Sequence, residues 1–337
     1  MVVDWQASPG EEAVQDLIED ESAVLSETES RVIDMGADQH GERLDKALAD
    51  RVPEFSRSYL RQLLEHGAVQ LNGQPFFKVA QKVKAGDRVV LEMRPTLESQ
   101  AFKPEPMALE VVYEDDHLLV VNKPAGLVVH PAPGNWSGTL LNGLMARDAK
   151  CAQMPRAGIV HRLDKDTSGL MVVARTRAAM DALVHMIAQR QVHRQYLALA
   201  HRPWQGGEAI SVDAPIGRDP RNRLRMAVVD LAMHAGKSAR TDVELLARGA
   251  QVCWVRCTLH TGRTHQIRVH MAFKGHPLVA DALYGGTPLA GMQRQALHAF
   301  RLAFKHPVTA EAMEFLAPIP TDMRSALDVL GLGYNNA

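Results

Sequence analysis

Cysteines, aromatic residues and long apolar runs are all scarce in this chain of 337 residues, and each shortage excludes something. Three cysteines, Cys151, Cys253 and Cys257, are too few and too scattered for a disulfide framework. Two of them form CWVRC, which has neither zinc-site spacing nor a second pair to complete it. No uninterrupted apolar stretch approaches membrane-spanning length. The opening MVVDWQASPGEEAVQDLIEDE has an acidic flank and no basic n-region, so it is not read as a secretory signal. No glycine-rich nucleotide loop and no metal-ligand cluster stands out. The expectation is a cytoplasmic enzyme or RNA-handling protein with reduced thiols, no membrane partner, no metal and no cofactor.

A single-signed charge is also missing from the total, which is -1, but not from its parts. Residues 1–40 hold eleven Asp or Glu and one basic residue, Arg31, a net of -10. The rest holds 37 Lys or Arg against 28 Asp or Glu, a net of +9. An acidic tail on a basic body keeps nucleic acid open as a partner. Residues 1–40 are Ser/Glu-rich and poor in aromatics, and are expected to be a disordered tail.

Residues 41–92 are expected to form a compact module. GERLDKALADRV and SRSYLRQLLEHG carry apolar residues at helical spacing, with Gly67 as a cap for the second. AVQLNGQPF reads as a strand entering an Asn72–Gly73 turn, and DRVVLEM as a closing strand. With Arg43, Lys46, Arg57 and Arg61 supplying positive charge, the segment resembles the S-four-type RNA-binding module shared with a small-subunit ribosomal protein. Three prolines mark RPTLESQAFKPEP as a linker, placed at 93–106. From Met107 to about residue 330, strands such as HLLVVN, GIV, LMVVA, YLALA and VCWVRCTLH dominate, with helices at TLLNGLMAR, RAAMDALVHMIAQ and TDMRSALDVL. That mixture predicts an α+β domain on a mixed or antiparallel sheet, followed by a short C-terminal tail at 331–337.

Three constellations carry chemistry. In GIVHRLDKDTSGLMVVA a polar loop is held between two apolar runs, and Asp164 is the group a shielded yet presented carboxylate would be. A turn built on Asp164 and Asp166 is the structural alternative. LDKDT also fits the D-x-D-x-T of haloacid-dehalogenase-like phosphatases, but His161 and Arg162 interrupt the apolar approach and no βαβ alternation follows. The second constellation, HTGRTHQIRVHMAFKGHPLVADALYGG, crowds Arg263, His265, Arg268 and His270 together. His265 and His270 are five apart, not the i, i+4 pair of a zinc helix. The arginines fit phosphate contact or pairing with a carboxylate. The third, RQVHRQYLALA, sets Tyr196 beside Arg190, His193 and Arg194.

Taken in order, these segments resemble the RluA/RluD family of pseudouridine synthases over roughly residues 41–330, most closely the RluD type. HRLDKDTSGL is similar to the family's catalytic motif, which implies Asp164 as catalytic aspartate. RQYLALA is similar to the segment supplying an active-site tyrosine, here Tyr196, with Arg194 where a Lys or Arg often stands two residues earlier. GRTHQIRVH is similar to the motif whose arginine, here Arg268, pairs with that aspartate. VNKPAGLVVHP, GHPLVADALYGG and LHAFRLAFKHP are further shared segments. The resemblance implies uridine isomerisation in large-subunit ribosomal RNA or a pre-50S particle, at the helix 69 stem-loop, by a monomer. Arg162, Lys165 and Arg263 are then expected to meet RNA. Other large-subunit or transfer-RNA uridines, and a mainly non-catalytic assembly factor, are the alternatives; Asp164, Tyr196 and Arg268 together argue against the last.

Overall fold

A computed structural model of the chain describes residues 29–53, 55, 57–93, 101–132, 134–205, 207–222 and 225–333. The expected tail over residues 1–28, half of the linker (94–100) and the last four residues lie outside these. The chain divides into two compact units, Asp20–Lys103 and a larger one running from Pro104 to the C-terminus.

In the small unit, strand β1 (Glu29–Asp34) is followed by helices α1 (Leu44–Arg51) and α2 (Arg57–Glu65), strands β2 (Val69–Leu71) and β3 (Gln74–Pro75), and strand β4 (Arg88–Met93). The sheet order is β1-β4-β2-β3, antiparallel throughout. Leu44, Leu48, Leu60, Leu64, Val69 and Leu91 are fully buried and form one core from both helices and the sheet. Asn72 and Gly73, at φ of 52° and 81°, make the tight hairpin turn that this dipeptide favours. β1 corrects the expectation for residues 1–40. Glu29–Asp34 pairs along the whole of β4, and Ile33 packs on the core, so the last part of the acidic segment belongs to the sheet. Two β-branched residues and a partner strand outweigh the local charge composition.

The larger unit is built on a nine-stranded mixed sheet. Its strands are β5 (Glu110–Glu114), β6 (Leu118–Lys123), β7 (Ser168–Ala174), β8 (His193–His201), β9 (Ala209–Asp213), β12 (Arg240–Arg248), β13 (Val252–Leu259), β14 (Leu297–Lys305) and β15 (Ala312–Leu316). β10 (Ile216–Arg218) and β11 (Met226–Val228) form a separate hairpin. The order is β5-β6-β7-β14-β8-β13-β12-β9, with β15 on β14. Every pairing is antiparallel except β7 with β14, which meet over only two residue pairs. Its longer helices are α3 (Leu140–Arg147), α4 (Arg177–Ala188), α5 (Gln266–Phe273) and α6 (Thr321–Val329), with a short one at Ala149–Ala152. The sheet's central strands are buried on both faces: β7 along its whole length, and β8 nearly so.

The expected strand GIV is not one. A 3-10 turn over Pro155–Gly158 leads to a single bridge, Ile159 to Val173, after which the chain leaves the sheet as a loop. α5 was hidden for a different reason. Gln266, Arg268 and His270 are all buried in it, so the helical period does not separate apolar from polar residues.

The parallel contact of β7 with β14 depends on Gly169. Its φ is +117°, and a Cβ there would lie 2.2 Å from the Ala299 carbonyl oxygen. Gly169→Ala should therefore destabilise the larger unit by about 2 kcal/mol or more. Chemical denaturation would show this; an unchanged midpoint would mean that the two strands separate at no cost.

Candidate active site

Asp164 sits at the top of the loop between Ile159 and β7, and the loop's backbone is pinned from beneath. Lys123, at the end of β6, is fully buried, and its Nζ donates to the carbonyls of Pro124 (2.9 Å), Leu127 (2.8 Å) and Lys165 (3.0 Å). Burial pulls its pKa down to about 8, against the pull of Asp166 and Asp164. Arg294 Nη1 donates to the Asp166 carbonyl at 2.9 Å, and Thr167 N–H closes the turn on the Asp164 carbonyl at 3.1 Å. The side chain that the loop presents is therefore set by rigid neighbours rather than by its own sequence.

Arg268, on α5, meets that side chain. Its Nη1 donates to Asp164 Oδ2 at 3.0 Å. Its Nε and Nη2 form a fork to Asp281 at 2.8 and 2.9 Å, and Asp281 has no exposed side-chain surface. Burial works against the charge on Arg268, but hydrogen bonds and charge from Asp281 and then Asp164 outweigh it and raise its pKa. One edge of the guanidinium is thus locked, and Nη1 is left to donate to Asp164. The Arg268 guanidinium also lies 5.0 Å from the centre of the Tyr284 ring.

His265 stands on the other side of Asp164. It begins α5 in the left-handed region, φ 56°, a conformation that non-glycine residues adopt at some cost. Its Nδ1 is 2.8 Å from Tyr284 Oη, which accepts from Met226 N–H at 3.1 Å. Its Nε2 faces Asp164 Oδ1 at 3.8 Å, beyond hydrogen-bond distance. Burial lowers the pKa of His265, the opposing pull of Asp164 notwithstanding, which favours the neutral ring. Asp164 consequently has one oxygen tied to Arg268 and one that no donor engages among the described residues.

Tyr196 is on β8, paired with Cys257 of β13 and Ala299 of β14, and is only 5% exposed. Burial pushes its phenol up to about 12, with Asp164 adding to the rise, so it stays neutral. Of the loop cations, Arg162 and Lys165 are exposed at the rim, and Arg263 is half-buried with its Nε on the Ser238 carbonyl at 3.1 Å. The structure therefore brings Asp164, Tyr196 and Arg268 into one site, and keeps Arg162 and Lys165 on the same loop. Among the described residues, no group of three or more His, Cys, Asp or Glu side chains is placed to hold a metal ion.

The four cations singled out in the small unit form a patch of their own. Asp45, nearly buried, accepts from Arg43 and Arg57, whose side chains stay 51% and 52% exposed. Burial opposes ionisation of Asp45, but these hydrogen bonds win and its pKa is lowered. Lys46 and Arg61 pair with Glu42 and Glu65 one helical turn away, contacts worth little in water.

Sequence reading alone passed over Asp281, Lys123, His265 and Tyr284 as site residues. The signals were an acid between apolar neighbours in LVADAL and a lysine closing the apolar run LLVVNK. Both violate the rule that charges avoid the interior unless paired.

Residues 117–273 match the family model described as RNA pseudouridylate synthase, and residues 42–89 match the S4 domain. The ribosomal large subunit pseudouridine synthase D of Neisseria meningitidis serogroup B is 49% identical over 92% of this chain and 84% of its own. The protein of the same name from Xylella fastidiosa is 48% identical, covering 86% of this chain and 89% of its own. Among solved structures, human RNA pseudouridylate synthase domain containing 1 aligns with a TM-score of 0.50 and 30% identity, over 67% of this chain and 86% of that one. No helix among the described residues is long and apolar enough to cross a membrane.

Proposed function

This chain belongs to the RNA pseudouridylate synthase family and is an RNA pseudouridine synthase; from that premise we propose that it acts on large-subunit ribosomal RNA, at the helix 69 stem-loop, with Asp164 as its catalytic carboxylate. The observation that carries the assignment is the asymmetry of Asp164. Oδ2 is held by a buried arginine, while Oδ1 has no donor among the described residues, His265 Nε2 standing 3.8 Å away.

The reaction moves uracil from an N1 to a C5 linkage on the same ribose, with no change in redox state. A base stacked in a stem is out of reach, so the nucleotide must flip out, at a cost of a few kcal/mol. In this reading exposed Arg162 and Lys165, with half-buried Arg263, hold the displaced backbone and the vacated stack. Inside, Arg268 holds Asp164 Oδ2, and Oδ1 meets the ribose as nucleophile or as base. Tyr196, neutral and fixed by the sheet, bounds the pocket in which the free ring turns. Arg43, Lys46, Arg57 and Arg61 supply sequence-independent phosphate contacts and hence affinity. In that role they bring the enzyme to its RNA and contribute to large-subunit maturation.

The test is a pseudouridine map of ribosomal and transfer RNA from cells lacking the gene. A cluster in the large-subunit stem-loop should disappear, return with the wild-type gene, and stay absent with Asp164→Asn. A map that loses only transfer-RNA sites would move the substrate; an unchanged map would sink the proposal.

A further inference from the structure

Arg194 is a buried cation near the site that, among the described residues, is neither paired with an acid like Arg268 nor tied to carbonyls like Lys123. It lies on β8 two residues before Tyr196, so both side chains leave the strand on the same face. It is 8% exposed. No carboxylate faces it among the described residues. Its Nε is buried without a hydrogen-bond partner, burial lowers its pKa, and the only group opposing that is the Tyr196 phenol. A desolvated guanidinium with no counter-charge is costly to keep, unlike Arg268, which has two.

Its surroundings do not crowd the guanidinium. Gly262 has no side chain where a Cβ would stand 3.0 Å from Arg194 Nη1, and its backbone does not itself require glycine. His161, three residues before Asp164, is a second unsatisfied group beside it. His161 Nε2 accepts from Val172 N–H at 3.1 Å, so a neutral ring carries its proton on Nδ1, and Nδ1 has no partner. Burial and then the charge of Arg194 push the His161 pKa down to about 3, so the ring is neutral. Two unmet donors, one charged, therefore lie on the segments that present Asp164 and Tyr196, His161 on the first and Arg194 on the second.

We propose that Arg194 is a further catalytic residue, which contacts the uracil ring of the flipped nucleotide and stabilises the negative charge that ring acquires when its bond to ribose breaks. The inference rests on the uridine reaction described above. In that step the C1′–N1 electron pair departs with the ring, giving a uracil anion spread over N1, O2 and O4, while Asp164 meets the electron-deficient ribose. After rotation, C5 supplies the pair for the new C1′–C5 bond, and the proton shed by C5 ends on N1, so nothing is oxidised or reduced. A cation without a partner in the free enzyme gains one only as this charge develops, which is the condition for lowering the barrier rather than merely binding substrate. A phosphate is the weaker match, because Arg162 and Lys165 are exposed to a backbone whereas Arg194 is buried.

The experiment compares wild-type enzyme, Arg194→Gln, Arg194→Lys and Gly262→Ala in single turnover on a stem-loop RNA. The target nucleotide is uridine or 5-fluorouridine, whose more acidic ring needs less help to leave. Arg194→Gln should slow loss of the N-glycosidic bond about 100-fold on uridine, and about 10-fold less severely on 5-fluorouridine, with RNA affinity changed less than about threefold. Arg194→Lys should recover part of the rate. Gly262→Ala keeps the charge but crowds it, and should show the same substrate-dependent loss even if the glutamine variant fails to fold. Equal losses on the two substrates, or losses that track weakened RNA binding, would overturn the role for Arg194. Wild-type enzyme inactive on every ribosomal stem-loop, yet active on another RNA, would instead overturn the substrate assignment and leave the role of Arg194 to be read on that RNA.

Discussion

Asp164→Asn should abolish measurable pseudouridine formation, a loss on the order of 10⁴-fold or more, while leaving fold and RNA affinity nearly unchanged. The side chain keeps its shape, and its amide oxygen still accepts from Arg268 Nη1, so the contact at 3.0 Å survives as a neutral hydrogen bond. Arg268 does not become an isolated buried charge, because its fork to Asp281 is untouched. What disappears is the carboxylate oxygen proposed to meet the ribose, for which an amide is no substitute as nucleophile or base. The melting temperature should stay within a few degrees, and the RNA dissociation constant within about threefold, since the loop backbone is held by Lys123 and Arg294 and not by Asp164. Turnover by the asparagine enzyme at a rate comparable to wild type would remove Asp164 from the chemistry.

How much of this was legible beforehand depended on whether a residue's partner lay nearby in sequence. The two helices of the small unit, its Asn72–Gly73 hairpin and the strands around Val120, Val172 and Leu197 follow from local spacing, and the structure places them there. β1 was not legible, because its stability comes from β4, more than fifty residues away, while its own composition is acidic. β12 hides in TDVELLARGA, which alternates only once its partners β13 and β9 are known. The site shows the same divide. Asp164, Tyr196 and Arg268 stand in segments with strong local character and a family resemblance. Asp281, Lys123 and the bare cation of Arg194 become meaningful only when tertiary contacts show what each charge faces, or that it faces nothing.

The second large effect falls on a residue that touches no substrate. Asp281 engages two of the three guanidinium nitrogens of Arg268, at 2.8 and 2.9 Å, from a position with no exposed surface. Without that fork the guanidinium is free to turn its two-pronged edge onto Asp164, the geometry that arginine and carboxylate prefer. Both Asp164 oxygens would then be occupied, and the one that now faces the ribose would be withdrawn. Asp281→Asn should accordingly lower kcat about 100- to 1,000-fold with KM changed less than about threefold, together with a melting temperature lowered by several degrees. Asp281→Ala should destabilise further, because it leaves a buried charge with a single partner; about 3 kcal/mol is the scale for such a break. Stability loss alone would not separate positioning from scaffolding, so the decisive comparison is a double-mutant cycle with Arg268→Lys. Lysine keeps the positive charge but has no fork to lock, so once it is present Asp281→Asn should cost little further activity. Costs that simply multiply across the cycle would show that Asp281 supports the fold and not the aim of Arg268.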